Sequence, residues 1–209
     1  MKKNNTNLVA RDYLLVSFIA VAFSIFTIPI IENLKLIKVT PTIIVLEIVV
    51  LLALANVALW VASLIARKIP VILQLVKFIA VGVFNTFLDW GVVNLLMLLT
   101  QIFFGFWFAA FNVLSFIIAN IGSFFWSRYW IFSGESKTKS QESATKDFLQ
   151  FFIVSIIGLG IKVGIATVWV NSLNASTSVE IWANIGLVLG TSFSMVWNFL
   201  GYKFIVFKK

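Results

Sequence analysis

Residues Phe78 to Thr100 read FIAVGVFNTFLDWGVVNLLMLLT, 23 residues in which the only charge is Asp89. A bilayer's hydrocarbon core takes about 20 apolar residues of helix, so this run is long enough to cross it. Its polar members are ordered: Gly82, Asn85 and Asp89 follow Phe78 at steps of four, three and four. Those steps trace one face of a helix.

Working outward, the runs Tyr13 to Ile31, Thr42 to Ala66, Ile102 to Trp126, Phe148 to Val170 and Ile181 to Leu200 have the same character. The second holds Glu47 and the fifth of the six spans holds Lys162. The whole chain of 209 residues is 61% hydrophobic and 11% charged, with a mean hydropathy of +1.04. A soluble core cannot hide that apolar fraction. The fold class expected is therefore an all-α polytopic membrane protein with six transmembrane helices. Ala20-Val21-Ala22 has the form of a signal-peptidase site, but it lies in mid-run with no polar region before it, so an uncleaved anchor is expected.

Sixteen Lys and Arg against eight Asp and Glu give a formal charge of +8, and the position of those charges tells what the excess is for. Lys2, Lys3 and Arg11; Arg67, Lys68 and Lys77; Arg128, Lys137, Lys139 and Lys146; and Lys203, Lys208 and Lys209 fall in alternate loops. By the positive-inside rule these loops and both termini are expected to be cytoplasmic. The excess is thus a topology signal, and no nucleic-acid partner is expected. Between helices four and five, Ser133 to Asp147 is too short and too polar to be a domain and is expected to be a linker. The chain has no cysteine and no histidine, which removes disulfides, thiolate metal sites and the commonest neutral-pH acid/base. No paired carboxylates, nucleophile with base, metal cluster or nucleotide-binding loop appears, so no catalytic residue, metal or cofactor is assigned and a non-enzyme is expected.

Helices three and four resemble helices five and six at an offset of about 73 to 75. Phe78, Gly82, Asn85 and Asp89 align with Phe151, Ser155, Gly158 and Lys162, while Arg128-Tyr129-Trp130-Ile131-Phe132 aligns with Lys203-Phe204-Ile205-Val206-Phe207. The expected organisation is a two-helix extension over 1–66 and a four-helix domain over 75–207. That domain consists of two in-out-in hairpins of like orientation, 75–132 and 148–207.

The strings KFIAVGVFNTFLDW (Lys77 to Trp90), SFFWSRYWIF (Ser123 to Phe132), FLQFFIVSIIGLG (Phe148 to Gly160) and WNFLGYKFIVF (Trp197 to Phe207) resemble the GtrA-like family. The resemblance covers about two thirds of the chain. It also extends to the membrane part of some dolichol-phosphate mannose synthases. It implies translocation of polyprenyl-phosphate-linked sugars, such as an undecaprenyl-phosphate sugar, across the bacterial plasma membrane. Such flippase activity would serve cell-surface polysaccharide or teichoic-acid glycosylation, beside a membrane glycosyltransferase. Three departures stand out: Ser127 where asparagine is common before the arginine, Lys162 where a neutral polar residue is usual, and the two extra N-terminal helices.

Asp89 and Lys162 lie at equivalent depths, about 11 residues and some 16 Å inside their spans. A charge at mid-bilayer costs several kcal/mol on insertion scales, about 2.5 to 3.5 for Asp or Lys, so each must face a partner or a watery cavity. The repeat makes a pair natural, and two readings stand: a buried ion pair that fixes helix register, or a site in which Lys162 attracts phosphate and Asp89 bonds sugar hydroxyls. Asn85 shares the face of Asp89. Asn112, Ser115, Ala119, Gly122 and Ser123 form a stripe on helix four, and Asn184, Thr191, Ser194 and Asn198 one on helix six. The stripes are expected to face each other, as helix packing or as a hydrophilic groove. Arg128 and Lys203 are candidates to clamp a lipid phosphate, with positive-inside anchoring as the alternative. Trp107, Trp126, Trp130, Trp169 and Trp182 suit an aromatic belt, which Trp90 fits less well. The candidate substrate-binding residues are thus Asn85, Asp89, Trp90, Ser123, Arg128, Lys162, Asn198 and Lys203. A non-transporting membrane partner or anchor of a glycosyltransferase is the alternative function, and a proton- or cation-coupled transporter built on Asp89 a third. The polar-faced hairpins leave room for a homodimer as a further partner.

Overall fold

The computed structural model describes residues 8–35, 37–69, 71–126, 129–130, 141–172 and 178–201. Among them there are six helices: α1 (Ala10–Leu34), α2 (Pro41–Ala66), α3 (Val71–Thr100), α4 (Gly105–Trp126), α5 (Gln141–Asn171) and α6 (Val179–Gly201). Each is long and apolar enough to span a membrane. The six expected spans are all present, and the differences lie at their ends. Helix α3 starts seven residues before Phe78, and α5 starts at Gln141, inside the segment expected to be a linker. Helix ends outside hydrocarbon carry no hydropathy signal, and Gln, Glu, Ala and Lys in residues 141–147 are good helix formers.

The breaks have local causes. Lys35 closes α1 in the left-handed conformation (φ 53°), and its N–H bonds the Ile31 carbonyl, the usual way to stop a helix. Thr40 opens α2 with its hydroxyl accepting from the Ile43 N–H at 3.3 Å; Pro41 follows at a position where its missing N–H costs nothing. Between α3 and α4, Gln101 and Gly105 take positive φ (56° and 74°), so α4 begins three residues later than hydropathy suggests.

The chain forms two compact units. The first comprises Met1–Gly91 and Ile118–Gly134, so it holds α1, α2, the leading part of α3 and the trailing part of α4. Helix α1 packs along α2, and the pair is cross-linked by polar bonds. Asn56 Nδ2 donates to Ser17 Oγ (3.0 Å), and the Thr27 hydroxyl donates to Glu47 Oε1 (2.6 Å). At Gly91 the backbone of α1 comes so close that a Cβ there would lie 2.5 Å from the Phe26 carbonyl oxygen. Phe23 against Phe87 (4.2 Å between centroids) and Phe84 against Trp126 (6.2 Å) fill the space around this crossing.

The second unit comprises Val92–Ile117 and Glu135–Lys209, and its spine is the α5/α6 pair. Gly186, Gly190, Ser194 and Asn198 recur at steps of four along α6. Small residues at that spacing let membrane helices approach backbone to backbone, where dispersion rather than hydrophobicity holds them. A Cβ on Gly190 would sit 2.5 Å from the Lys162 carbonyl oxygen, one on Gly186 3.1 Å from that of Ala166, and one on Gly201 2.6 Å from Val154 Cγ1. Where α6 enters, the Trp169 and Trp182 rings stack at 4.5 Å, and Trp182 Nε1 donates to the Trp169 carbonyl (2.9 Å).

Candidate polar site within the helices

In the first unit the site residues sit on the middle of α3. Asp89 is 6% exposed and is not an unpaired group. Trp90 beside it is half-buried, lies in mid-span and packs its ring against Phe87 of the same helix at 5.7 Å. One turn before Asp89, the Asn85 carboxamide lies over Gly122 of α4, 3.7 Å from where a Cβ would be. Its Oδ1 is buried and accepts no hydrogen bond among the described residues. Ser123 is half-buried.

In the second unit Lys162 is 1% exposed, one of the largest fully buried side chains of the protein, and it too has a partner. Gly190 is what lets α6 reach the α5 backbone at this residue. One turn before Lys162, Gly158 is covered by the Asn198 carboxamide of α6, whose Oδ1 would lie 2.4 Å from a Cβ at 158. That oxygen is likewise buried without a hydrogen-bond donor among the described residues. In the first unit the amide is on α3 and the glycine on α4, and in the second the amide is on α6 and the glycine on α5. Each unit thereby buries one open amide oxygen a turn from an ionisable residue.

Other polar residues of the stripes are satisfied locally. Asn112 Nδ2 donates to the Phe108 carbonyl (2.9 Å) and the Ser115 hydroxyl to that of Asn112 (3.0 Å), although Asn112 Oδ1 is open among the described residues. Thr191 and Ser194 are buried. Asn184 forms a reciprocal pair with Asn94 of α3, each amide donating to the other at 2.9 Å, both buried within the second unit. Arg128 and Lys203, the candidate phosphate clamp, lie outside the described residues. Asp89 belongs to the first unit and Lys162 to the second.

Sequence reasoning missed two constellations. One is the Asn94 half of the amide pair. The other is a cluster at the start of α1, where Asp12 is 5% exposed. Asp12 Oδ1 takes the Lys77 ammonium at 2.5 Å and Trp130 Nε1 at 2.8 Å, while its Oδ2 takes the Val9 N–H at 3.1 Å. Lys77 also stands 5.5 Å over the Trp130 ring, and Arg11 Nη2 donates to the Tyr129 carbonyl (2.9 Å). Trp130 is therefore buried and bonded, and departs from the belt expected of it. The available signal was that Asp12 is a lone acid directly after Lys2, Lys3 and Arg11.

Among the described residues no group of three potential metal ligands occurs. Among the described residues the first unit offers the open Asn85 oxygen with the buried carboxylates of Asp89 and Asp12, and the second the open Asn112 and Asn198 oxygens with the buried Lys162 ammonium. Such a set suits recognition of polyhydroxy and anionic groups. The molecule is a multi-pass helical membrane protein with polar groups buried in its spans. Residues 77–207 match the family model described as GtrA/DPMS, transmembrane domain, and the chain belongs to that family. No curated protein and no solved structure gives a significant match.

Proposed function

We infer that the protein translocates a polyprenyl-phosphate-linked monosaccharide across the plasma membrane, with both termini cytoplasmic, and supplies it for glycosylation of cell-surface polysaccharide or teichoic acid. The observation that carries this reading is membership in the GtrA/DPMS family. Support comes from two buried, open amide oxygens, that of Asn85 one turn from Asp89 and that of Asn198 over Gly158, one turn from Lys162. Within one unit the sugar hydroxyls exchange water for Asn85 and Asp89; within the other Asn198 takes a hydroxyl and Lys162 balances the phosphate; the isoprenoid tail stays in lipid. Ser123 and Trp90 border the first half of this path. Arg128 and Lys203 receive the phosphate at the cytoplasmic face. The protein performs no bond chemistry; a membrane glycosyltransferase makes the lipid-linked sugar, and translocation follows its gradient.

The test is transbilayer movement of short-chain polyprenyl-phosphate sugars in proteoliposomes, against protein-free vesicles. Intact protein is expected to accelerate movement. Asp89→Asn and Lys162→Met, if still folded, are expected to slow it tenfold or more, as losing a charged partner in the translocated state costs about 1.4 kcal/mol per tenfold. Absence of movement over a panel of head groups, with a glycosyltransferase retained on the protein in native membranes, would replace translocation by a scaffolding role.

A further inference from the structure

The N-terminal helices lie outside the family match, yet they build a groove. Between α1, α2 and α3 there is a cavity of about 350 Å³ whose walls include Ala20, Phe23, Leu54, Ala55, Ala80 and Val83. That volume falls in the range of small-molecule sites, about 300 to 1,000 Å³. Its lining is hydrocarbon except at one end, where Lys77 and Trp130 complete it. There the Lys77 ammonium and the Trp130 indole N–H converge on one oxygen, Oδ1 of Asp12. An apolar cavity bordered by a cation and a neutral donor, both aimed at one anionic oxygen, has the polarity profile of an amphiphile with a hydrocarbon tail and an anionic head. A partner's apolar helix or a neutral lipid carries no anion to exchange for the Asp12 carboxylate at these two donors.

We propose that this groove seats the hydrocarbon chain of a lipid phosphate, and that Asp12 is a resident counter-anion that the lipid's phosphate displaces from Lys77 and Trp130. The exchange keeps charge balanced around Lys77. Asp12 retains a place of its own, because its other oxygen bonds the Val9 N–H at the start of α1, where a carboxylate also suits the helix dipole. The bound lipid is held at the edge of its span, since Lys77 is the third residue of the Leu75–Thr100 span and Asp12 the third of Ala10–Leu34. The N-terminal extension thus acts as an entry site that holds the lipid before translocation. The identification of the lipid as a polyprenyl phosphate rests on the function proposed above, whereas the site itself does not.

The test is equilibrium binding to the full-length protein in phosphatidylcholine nanodiscs, with three probes: a short-chain polyprenyl phosphate, the polyprenol of the same length, and inorganic phosphate. Asp12→Asn is expected to bind the polyprenyl phosphate about tenfold more tightly and the polyprenol unchanged. Lys77→Met is expected to lose tenfold or more for the phosphate alone, and Trp130→Phe, which removes only the indole donor, severalfold. Ala55→Phe, which fills the groove, is expected to weaken both lipids. Unchanged or weaker phosphate binding in folded Asp12→Asn would make the cluster a helix register pin and overturn the proposal, as would indifference to Ala55→Phe. Competition by inorganic phosphate at the affinity of the lipid would overturn the role of the chain. Trp130→Phe keeps the ion pair, so it decides the matter even where Asp12→Asn fails to fold. The binding assay involves no translocation: this pattern without flipping leaves the site standing and removes the function above, and flipping without this pattern does the reverse.

Discussion

Replacing Gly190 by alanine is expected to destabilise the protein, although in most helices the same change stabilises. Alanine is favoured over glycine within a helix by about 0.5 to 1 kcal/mol. Against that, the new Cβ lies 2.5 Å from the Lys162 carbonyl oxygen, 3.3 Å from Ala166 Cβ and 3.3 Å from the Lys162 carbonyl carbon. Non-bonded contacts involving carbon settle near 3.5 to 4.0 Å, so a separation of up to about 1 Å must be made. The obstructing atom is backbone, so α5 itself has to move. Overpacking of this kind costs about 1 to 3 kcal/mol, and a backbone obstacle puts it at the upper end. The net is about 2 kcal/mol, which in a chain of this size lowers Tm by about 4 to 8 °C. Three controls come from the same protein: Gly82, Gly160 and Gly164 have no heavy atom within 4 Å of a built Cβ, and their alanine variants are expected to be neutral or slightly stabilising. Gly158→Ala and Gly201→Ala meet side chains, Asn198 and Val154, which can give way, and are expected between the extremes. Gly91→Ala meets the Phe26 carbonyl at 2.5 Å and should match Gly190→Ala. The assay is thermal unfolding of detergent-purified variants followed by size exclusion. Stability of Gly190→Ala equal to that of Gly160→Ala would refute the close approach of α6 to Lys162.

Two further outcomes test the polar bonds between helices. Asn94→Leu or Asn184→Leu alone leaves a buried amide without its partner and is expected to cost about 1 to 3 kcal/mol, whereas the double variant should cost less than the sum, by about 0.6 to 2 kcal/mol; additive losses in SDS-induced unfolding would mean that the amides do not pair. Thr27→Val removes the donor to Glu47 with little change of shape and is expected to cost about 1 to 2 kcal/mol, while Glu47→Gln, which keeps an acceptor oxygen, should cost clearly less; equal losses in the same unfolding assay would show that charge and not the hydrogen bond links α1 to α2.

The spans were legible in the sequence because hydropathy is a local sum, and the burial of Asp89 and Lys162 because a charge within an apolar run has nowhere else to go. Helix ends were not, since residues 141–147 are polar whether coiled or helical. Contacts over long separations were also hidden. Nothing near Asp12 in the chain announces Lys77, 65 residues on, or Trp130, 118 on, and a tryptophan near a span's end reads as belt until its indole N–H is seen to be spent on a carboxylate. Asn94 was passed over for the same reason: its partner Asn184 is 90 residues away.

What the sequence stripes left undivided, the hydrogen bonds divide. Ser24 bonds the Ala20 carbonyl, Thr86 that of Gly82, Ser115 that of Asn112 and Ser192 that of Val188. Such groups are satisfied by their own helix, and their presence on a polar face says only that the helix tolerates them. Asn94 and Asn184 satisfy each other and so belong to packing. Asn85 and Asn198 are different. Each has a glycine on the neighbouring helix under its carboxamide, which gives it room, and a buried Oδ1 that no described residue serves. A buried acceptor left open costs about 1 to 3 kcal/mol. Both units carry that cost, with Asn85 of α3 over Gly122 of α4 in one and Asn198 of α6 over Gly158 of α5 in the other. What the two units share is therefore a buried, open amide oxygen set beside a helix one turn from Asp89 in one and from Lys162 in the other, an acceptor of the kind that the hydroxyls of the head group proposed above would use.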